Sequence, residues 1–239
     1  MIHVKFNLND GVPEDWAREI WRQAVNRSGT VGYTVPLPEE IGMGEAFVKR
    51  YFNKSKHKRI RRILYGRAAR EGKGLKVYQK RGIFTVPFLF CAQERHFGLV
   101  KKGIVATVRI FRPNVEEAYL ENFDPGLLEA TAYALGLIHR SGLTHGDPRL
   151  CNFLNTKPHP QVFDVPAWNI FNPRLQVKDL FRFLGSIIKY PGSGNMFPSL
   201  LKSYQSVGLT IPVSTDWLFQ RAKKSGQRKS RKILEIDDN

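Results

Sequence analysis

The sequence predicts an α+β fold of two lobes, strand-rich in its first half and helical in its second. Three observations carry that prediction. A length of 239 residues suits one domain of two lobes or two small domains. Short apolar runs bounded by Gly, Pro and Asn dominate the first half, and longer runs of helical period dominate the second. The pattern changes around Arg112 and Pro113, so residues 1–112 are assigned to the first lobe and 113–239 to the second.

The chain opens with the alternating "IHVKF" of a short strand, followed by "PEDWAREIWRQAV", an amphipathic helix. "SGTVGYTVPLPEEIGMGEAFVKRYF" reads as short strands joined by turns. A basic segment follows, helical from about Lys56 to Lys80, although Gly66, Gly72 and Gly74 each cost about 1 kcal/mol against alanine in a helix. "GIFTVPFLFCAQE" and "GLVKKGIVATVRIF" are the next strands. The helix over "DPGLLEATAYALGLIHRSG" is opened by Asp124 as N-cap with Pro125 in the first turn and closed near Gly142. "PQVFDV" is a short strand, and "VKDLFRFLGSIIKY" and "FPSLLKSYQSVG" are helices. The last dozen residues, basic then acidic, are expected to be a mobile tail.

Composition narrows the function. Hydrophobic residues make up 42% of the chain and aromatic residues 12%, enough for a sizeable core and against wholesale disorder. No apolar run approaches bilayer length, and "MIHVKFNLND" lacks the pattern of a secretory signal. Cys91 and Cys151 have no His or Cys at metal-ligand spacing, which argues against a zinc site or disulfide framework. The net charge of +17 is the outlier, with 38 Lys and Arg against 21 Asp and Glu. Between 49 and 81, fourteen of thirty-three residues are Lys or Arg and only Glu71 is acidic. A second run, "RAKKSGQRKSRK", lies at 221–232. Such a field attracts polyanions: nucleic acid, phosphorylated glycans or an anionic membrane surface.

The chemistry concentrates in "HRSGLTHGDPRLCNFLN", residues 139–155, just after an apolar helix. Phosphoryl transfer asks for a cation on the nucleotide phosphates, metal ions that bridge them, and a carboxylate that orients the attacking hydroxyl. Kinase-like folds supply these in a fixed chain order: a strand lysine, a helix glutamate, D-x-x-x-x-N, then an Asp after the next strand. Lys49 in "EAFVKRYF", Glu71, Asp147 with Asn152, and Asp164 at the end of "PQVF" fall in that order. Each has a plainer reading. Asp147 and Asn152 suit turns, Asp164 beside Pro166 a strand end, Lys49 is one lysine among many, and Glu71 could pair with Arg67 on a helix surface. His145 reads as a loop organiser bonded to backbone, and His139 as packing near the helix end. Asp179, after Lys178, either starts a helix or holds the backbone of the 145–152 loop. No G-x-G-x-x-G precedes Lys49; "SGTVGY" and "IGMGEAF" are the glycine-containing turns available.

"LGLIHRSGLTHGDPRLCNFL", then "VFDV", then "KDLFRFL" resembles the lipopolysaccharide kinase family, the bacterial heptose and Kdo kinases of the inner core with their InaA-like relatives. "FVKRYF" and "RAAREGKGLKVYQKRGIFTVP" extend the resemblance, which runs from about Phe47 to Tyr204. Pro148 follows Asp147 where a longer side chain is usual, and "FDVPAW" stands in place of Asp-Phe-Gly. The resemblance implies a two-lobed protein-kinase-like fold and an ATP- and Mg2+-dependent kinase. Its acceptor would be a sugar hydroxyl of lipopolysaccharide core, reached from the cytoplasm at the inner membrane. Asp147 would take the hydroxyl proton, Asn152 and Asp164 would hold magnesium, and Lys49 paired with Glu71 would position the phosphates. The positive charge agrees, since that glycolipid is anionic; nucleic acid is the less favoured polyanion. Two alternatives stay open: a kinase-like protein with a protein or RNA-associated acceptor, and a pseudokinase that binds polyanions.

Overall fold

Alternation along β-strands builds the first unit. In β3 (Glu45–Phe52), Ala46, Val48 and Arg50 point to one face and are buried, while Phe47, Lys49 and Tyr51 point to the other. With β1 (Ile2–Leu8), β2 (Gly32–Pro36), β4 (Phe88–His96) and β5 (Leu99–Val108) it forms an antiparallel sheet in the order β1-β4-β5-β3-β2. The computed structural model describes residues 2–26, 32–52, 66–165, 168–170, 172–190 and 193–237.

Each face of this sheet carries a helix. Helix α1 (Glu14–Asn26) lays Ala17, Ile20, Trp21 and Ala24 against Val48, Phe90, Ile104 and Ala106 in one apolar cluster. Complete burial of side chains the size of Ile or Phe stabilises by about 1.5–3 kcal/mol each. Helix α2 (Arg67–Lys80) packs on the opposite face, closely, because glycine lines the contact. A Cβ at Gly72 would stand 2.8 Å from the Phe88 ring and 2.9 Å from Cys91 Sγ; one at Gly103 would stand 2.8 Å from Ala68. Gly72, which lowers the intrinsic helix propensity of α2, thus lets it approach the sheet. The described helix begins at Arg67; the earlier start expected near Lys56 lies outside the described residues.

The second unit gathers Arg81–Phe84 and Arg112–Asn239, the first Met1–Lys80 and Thr85–Phe111. Its helices are α3 (Val115–Asn122), α4 (Pro125–Arg140), α5 (Pro173–Ile187), α6 (Phe197–Gln205) and α7 (Thr215–Asp237). Helix α4 starts as its sequence dictates: the Asp124 carboxylate accepts from Gly126 N at 2.8 Å, and Gly142 closes the following turn at φ 75°. Helices α4 and α6 approach so closely that a Cβ at Gly136 would stand 2.6 Å from Tyr204 O. Two short ladders, β6 (Leu143–Thr144) with β9 (Asn169–Ile170) and β7 (Phe153–Leu154) with β8 (Gln161–Val162), flank the 145–152 loop.

Three elements differ from the sequence expectation. Helix α3 was not predicted; its signal is the capping box in which Asn114 and Glu117 each bond the other's backbone N–H. Helix α5 starts at Pro173, capped by the Asn172 side chain, four residues before the expected start. The expected mobile tail is instead the end of α7, helical to Asp237. Leu218 and Ala222 are fully buried and, with Gly226, fall on one stripe spaced by four residues.

Candidate active site

In the first unit, strand alternation turns Lys49 toward α2, where its Nζ lies 3.8 Å from Glu71 Oε1. The Tyr51 hydroxyl, two residues along the same face, donates to Glu71 Oε2. Glu71 is only 4% exposed, brought down by the Gly72 contact beside it. Sheet register sets Lys49 between Gly32 of β2 and Val105 of β5. A long, partly buried ion pair contributes little net stability, yet removing one partner strands the other. Its use is therefore to fix the position of an ammonium group.

In the second unit, α4 delivers the chain into β6, and the next residues form a loop tied from below by α5. Asp179 is 1% exposed, and its carboxylate accepts from His145 N at 2.7 Å and from Gly146 N at 3.0 Å. His139 Nε2 lies 3.4 Å from the same carboxylate, and His139 Nδ1 lies 2.7 Å from the Tyr204 hydroxyl. Arg182, one turn along α5, donates to the Gly146 carbonyl. Of the two readings of Asp179, the structure thus shows the one in which it holds the loop.

That loop presents Asp147 with its carboxylate about one-third exposed and in contact with Arg149, Nε at 3.0 Å and Nη2 at 2.8 Å. The Asn152 amide donates to the Asp147 carbonyl at 2.7 Å, closing the D-x-x-x-x-N segment on itself. Asn152 O accepts from Phe163 N at 3.1 Å, which sets the next residue, Asp164, beside Asn152 at the open end of the β7–β8 ladder. Asp164 has a left-handed backbone, φ 54°. Such a conformation costs an ordinary residue about 1–3 kcal/mol and clusters at functional positions.

His145 fits its reading as a loop organiser. The Asp147 N–H points at its Nδ1 at 3.4 Å, which leaves the proton of the neutral ring on Nε2. The ring is fully buried beside Phe153, and Nε2 has no hydrogen-bond partner among the described residues. Burial pushes its pKa below the ordinary 6.5, overriding the opposite pull of Asp179, Asp147 and Asp164.

The five predicted residues therefore fall in two groups. Lys49 with Glu71 lies in the first unit, and Asp147, Asn152 and Asp164 lie in the second. Sequence reading missed Arg149 by attending to Pro148. A basic residue two positions past the loop carboxylate was the available signal. It also missed Tyr51 and Arg182, whose roles depend on strand facing and helix packing.

A magnesium ion prefers oxygen ligands and keeps water and substrate phosphates among them. Asn152 fits that preference through its amide oxygen, because its amide nitrogen is committed to the Asp147 carbonyl and the oxygen meets only the Cys151 thiol, a weak donor at 3.7 Å, among the described residues. The Asp164 carboxylate is the charged donor next to it. Among the described residues no three His, Cys, Asp or Glu side chains converge on a metal position; a site that shares its ion with phosphates does not require such a cage.

No protein-family model matches this chain, and no curated protein does. Solved structures do. WaaP in complex with acyl carrier protein aligns with a TM-score of 0.62 at 18% identity, over 92% of this chain and 99% of that one. An aminoglycoside-3'-phosphotransferase of type VIII aligns with a TM-score of 0.55 at 13% identity, over 91% of this chain and 100% of that one. The chain thus has the two-lobed, protein-kinase-like α+β fold. Because 1224 chains of solved structures match, the likeness decides the fold and leaves the acceptor to the chemistry of the site.

Proposed function

We propose that the protein is an ATP- and magnesium-dependent phosphotransferase of the lipopolysaccharide kinase family. Its acceptor is a sugar hydroxyl, heptose or Kdo, of the lipopolysaccharide inner core, met at the cytoplasmic face of the inner membrane. The observation that carries this reading is the loop geometry. The Asp147 carbonyl is bonded to Asn152, and the loop backbone is bonded to the buried Asp179. That arrangement holds one carboxylate in a fixed place at the surface of a kinase-like fold, as phosphoryl transfer requires.

Asp147 orients the acceptor hydroxyl and takes its proton as the oxygen bonds to the γ-phosphorus. The bond to the β-phosphate oxygen breaks and ADP leaves. Arg149, already against Asp147, brings positive charge to the place where the transferred group gains negative charge. Lys49, steadied by Glu71, holds the nucleotide phosphates. Asn152 and Asp164 would hold magnesium, which supplies charge neutralisation across the phosphates. The net charge of +17 supports an anionic acceptor and contact with an anionic membrane. Among the described residues no helix is long and apolar enough to cross a membrane, so that contact is assigned to the surface.

The test is incubation with γ-labelled Mg-ATP and purified lipopolysaccharide core glycolipid, followed by separation of lipid from protein. Label on the glycolipid is expected. Label on protein or RNA-associated material alone would replace the acceptor, and failure to bind Mg-ATP would replace catalysis by a binding role.

A further inference from the structure

Lys178 and Arg182 lie four residues apart on α5, and Arg221 and Lys224 three apart on α7, so each pair shares a helix face. The two helices meet through glycine: a Cβ at Gly185 would stand 2.8 Å from Ala222 O, and one at Gly226 2.9 Å from Gly185 O. This close crossing turns both pairs onto one cavity of about 410 Å³, lined also by Phe181, Ser225 and Asp147. Asp147 is the single acid of the lining and already contacts Arg149. Four cations of like charge around one hollow repel each other. Gathering them is favourable when an anion enters.

We propose that this cavity is an acceptor subsite, in which Lys178, Arg182, Arg221 and Lys224 bind a phosphate or carboxylate group that the acceptor carries near the hydroxyl to be phosphorylated. The proposal rests on the reading of Asp147 as the residue that meets that hydroxyl. It adds which side chains select the acceptor and by what chemistry. Arg182 spends one donor on the Gly146 carbonyl and has others to offer. Arg221 stacks on Trp217, with its guanidinium 5.1 Å from the ring centroid, and Trp217 in turn packs edge-on against Phe181. The indole thus touches two residues of the lining and reports on the cavity.

The experiment is a fluorescence titration of the full chain, its nucleotide site filled with a non-hydrolysable ATP analogue and magnesium. Inorganic pyrophosphate and citrate serve as the phosphate and carboxylate probes, and Trp217→Phe identifies the responding indole. Lys178→Gln with Lys224→Gln should weaken probe binding at least tenfold and leave affinity for the ATP analogue within twofold. The double Lys→Arg variant should bind as wild type does. Response to pyrophosphate alone assigns the subsite to phosphate, and response to citrate alone to carboxylate. Equal probe affinity in wild type and the Gln variant, or no binding to wild type, overturns the proposal. These outcomes do not depend on label transfer, so a glycolipid that accepts no phosphate would sink the proposed function and leave the subsite standing.

Discussion

At the scale of single residues, the site is a set of backbone groups held by a few buried side chains. Asp179 accepts one buried and one half-buried N–H group, and hydrogen bonds to a charged partner are worth about 1.5–3 kcal/mol each. Asp179→Ala should therefore lower the unfolding free energy by about 2–4 kcal/mol in a denaturant titration. A loss under about 0.5 kcal/mol would mean that other groups hold the loop. His145 gives a pH signature of definite sign. Its folded pKa lies below 6.5, so beneath that pH the unfolded chain binds a proton that the native ring does not. The contribution of His145 is present above pH 6.5 and lost as pH falls through and below it. His145→Gln should flatten that part of the stability profile; an unchanged slope between pH 6.5 and 5 would show that the ring is not the group that titrates. That Asp147, Asn152 and Asp164 lie near one another was legible in the sequence because their spacing is local. Arg149 was equally local and was overlooked. Asp179 was found with its role undecided, because which backbone it meets is a property of packing.

Helices and strands show why some signals were strong and others faint. The sheet and α4 could be read directly, from alternation in β1 and turn-bounded apolar runs in the other strands in one case, and from Asp124, Pro125 and Gly142 in the other. The end of α7 was read as a tail and its start was assigned no element, because the stripe it packs with, Leu218, Ala222 and Gly226, is a weak apolar signal beside a run of lysine and arginine. In α2 the sequence gives Gly72 a propensity cost, while the structure gives it a packing role. Gly72→Leu should push α2 off β4, carry Glu71 from Lys49 and raise the KM for ATP several-fold. An unchanged KM would detach the ion pair from nucleotide binding. At the N-terminus of α3, Glu116 is held below its ordinary 4.5. Partial burial acts to raise it, and the bonds from Lys189 and Tyr190 outweigh that effect. Its contribution is present above pH 4.5 and is lost as pH falls through its lower folded value. Lys189→Met with Tyr190→Phe should reduce that acid sensitivity, as read from thermal midpoints between pH 5 and 3.

For the whole molecule, charge is the dominant feature. A net +17 accelerates encounter with anionic acceptors and surfaces, and the effect is screened within about 8 Å at physiological salt. Raising ionic strength should increase the KM for a glycolipid acceptor far more than the KM for ATP; equal shifts would place the charge outside acceptor recognition. The fold was legible at this scale because the chemistry-bearing residues follow one another in a fixed order along the chain. The basic cavity was not legible, since the cations on α5 and α7 that line it are more than thirty residues apart and converge only by helix packing. The central claim is that Asp147 serves phosphoryl transfer, and it is tested most directly by comparing wild type with Asp147→Ala. Both proteins would be given labelled Mg-ATP and lipopolysaccharide core glycolipid, with ATP affinity measured in parallel. The account predicts transfer reduced at least about 100-fold with nearly unchanged ATP affinity. Transfer at the wild-type rate by Asp147→Ala would contradict it.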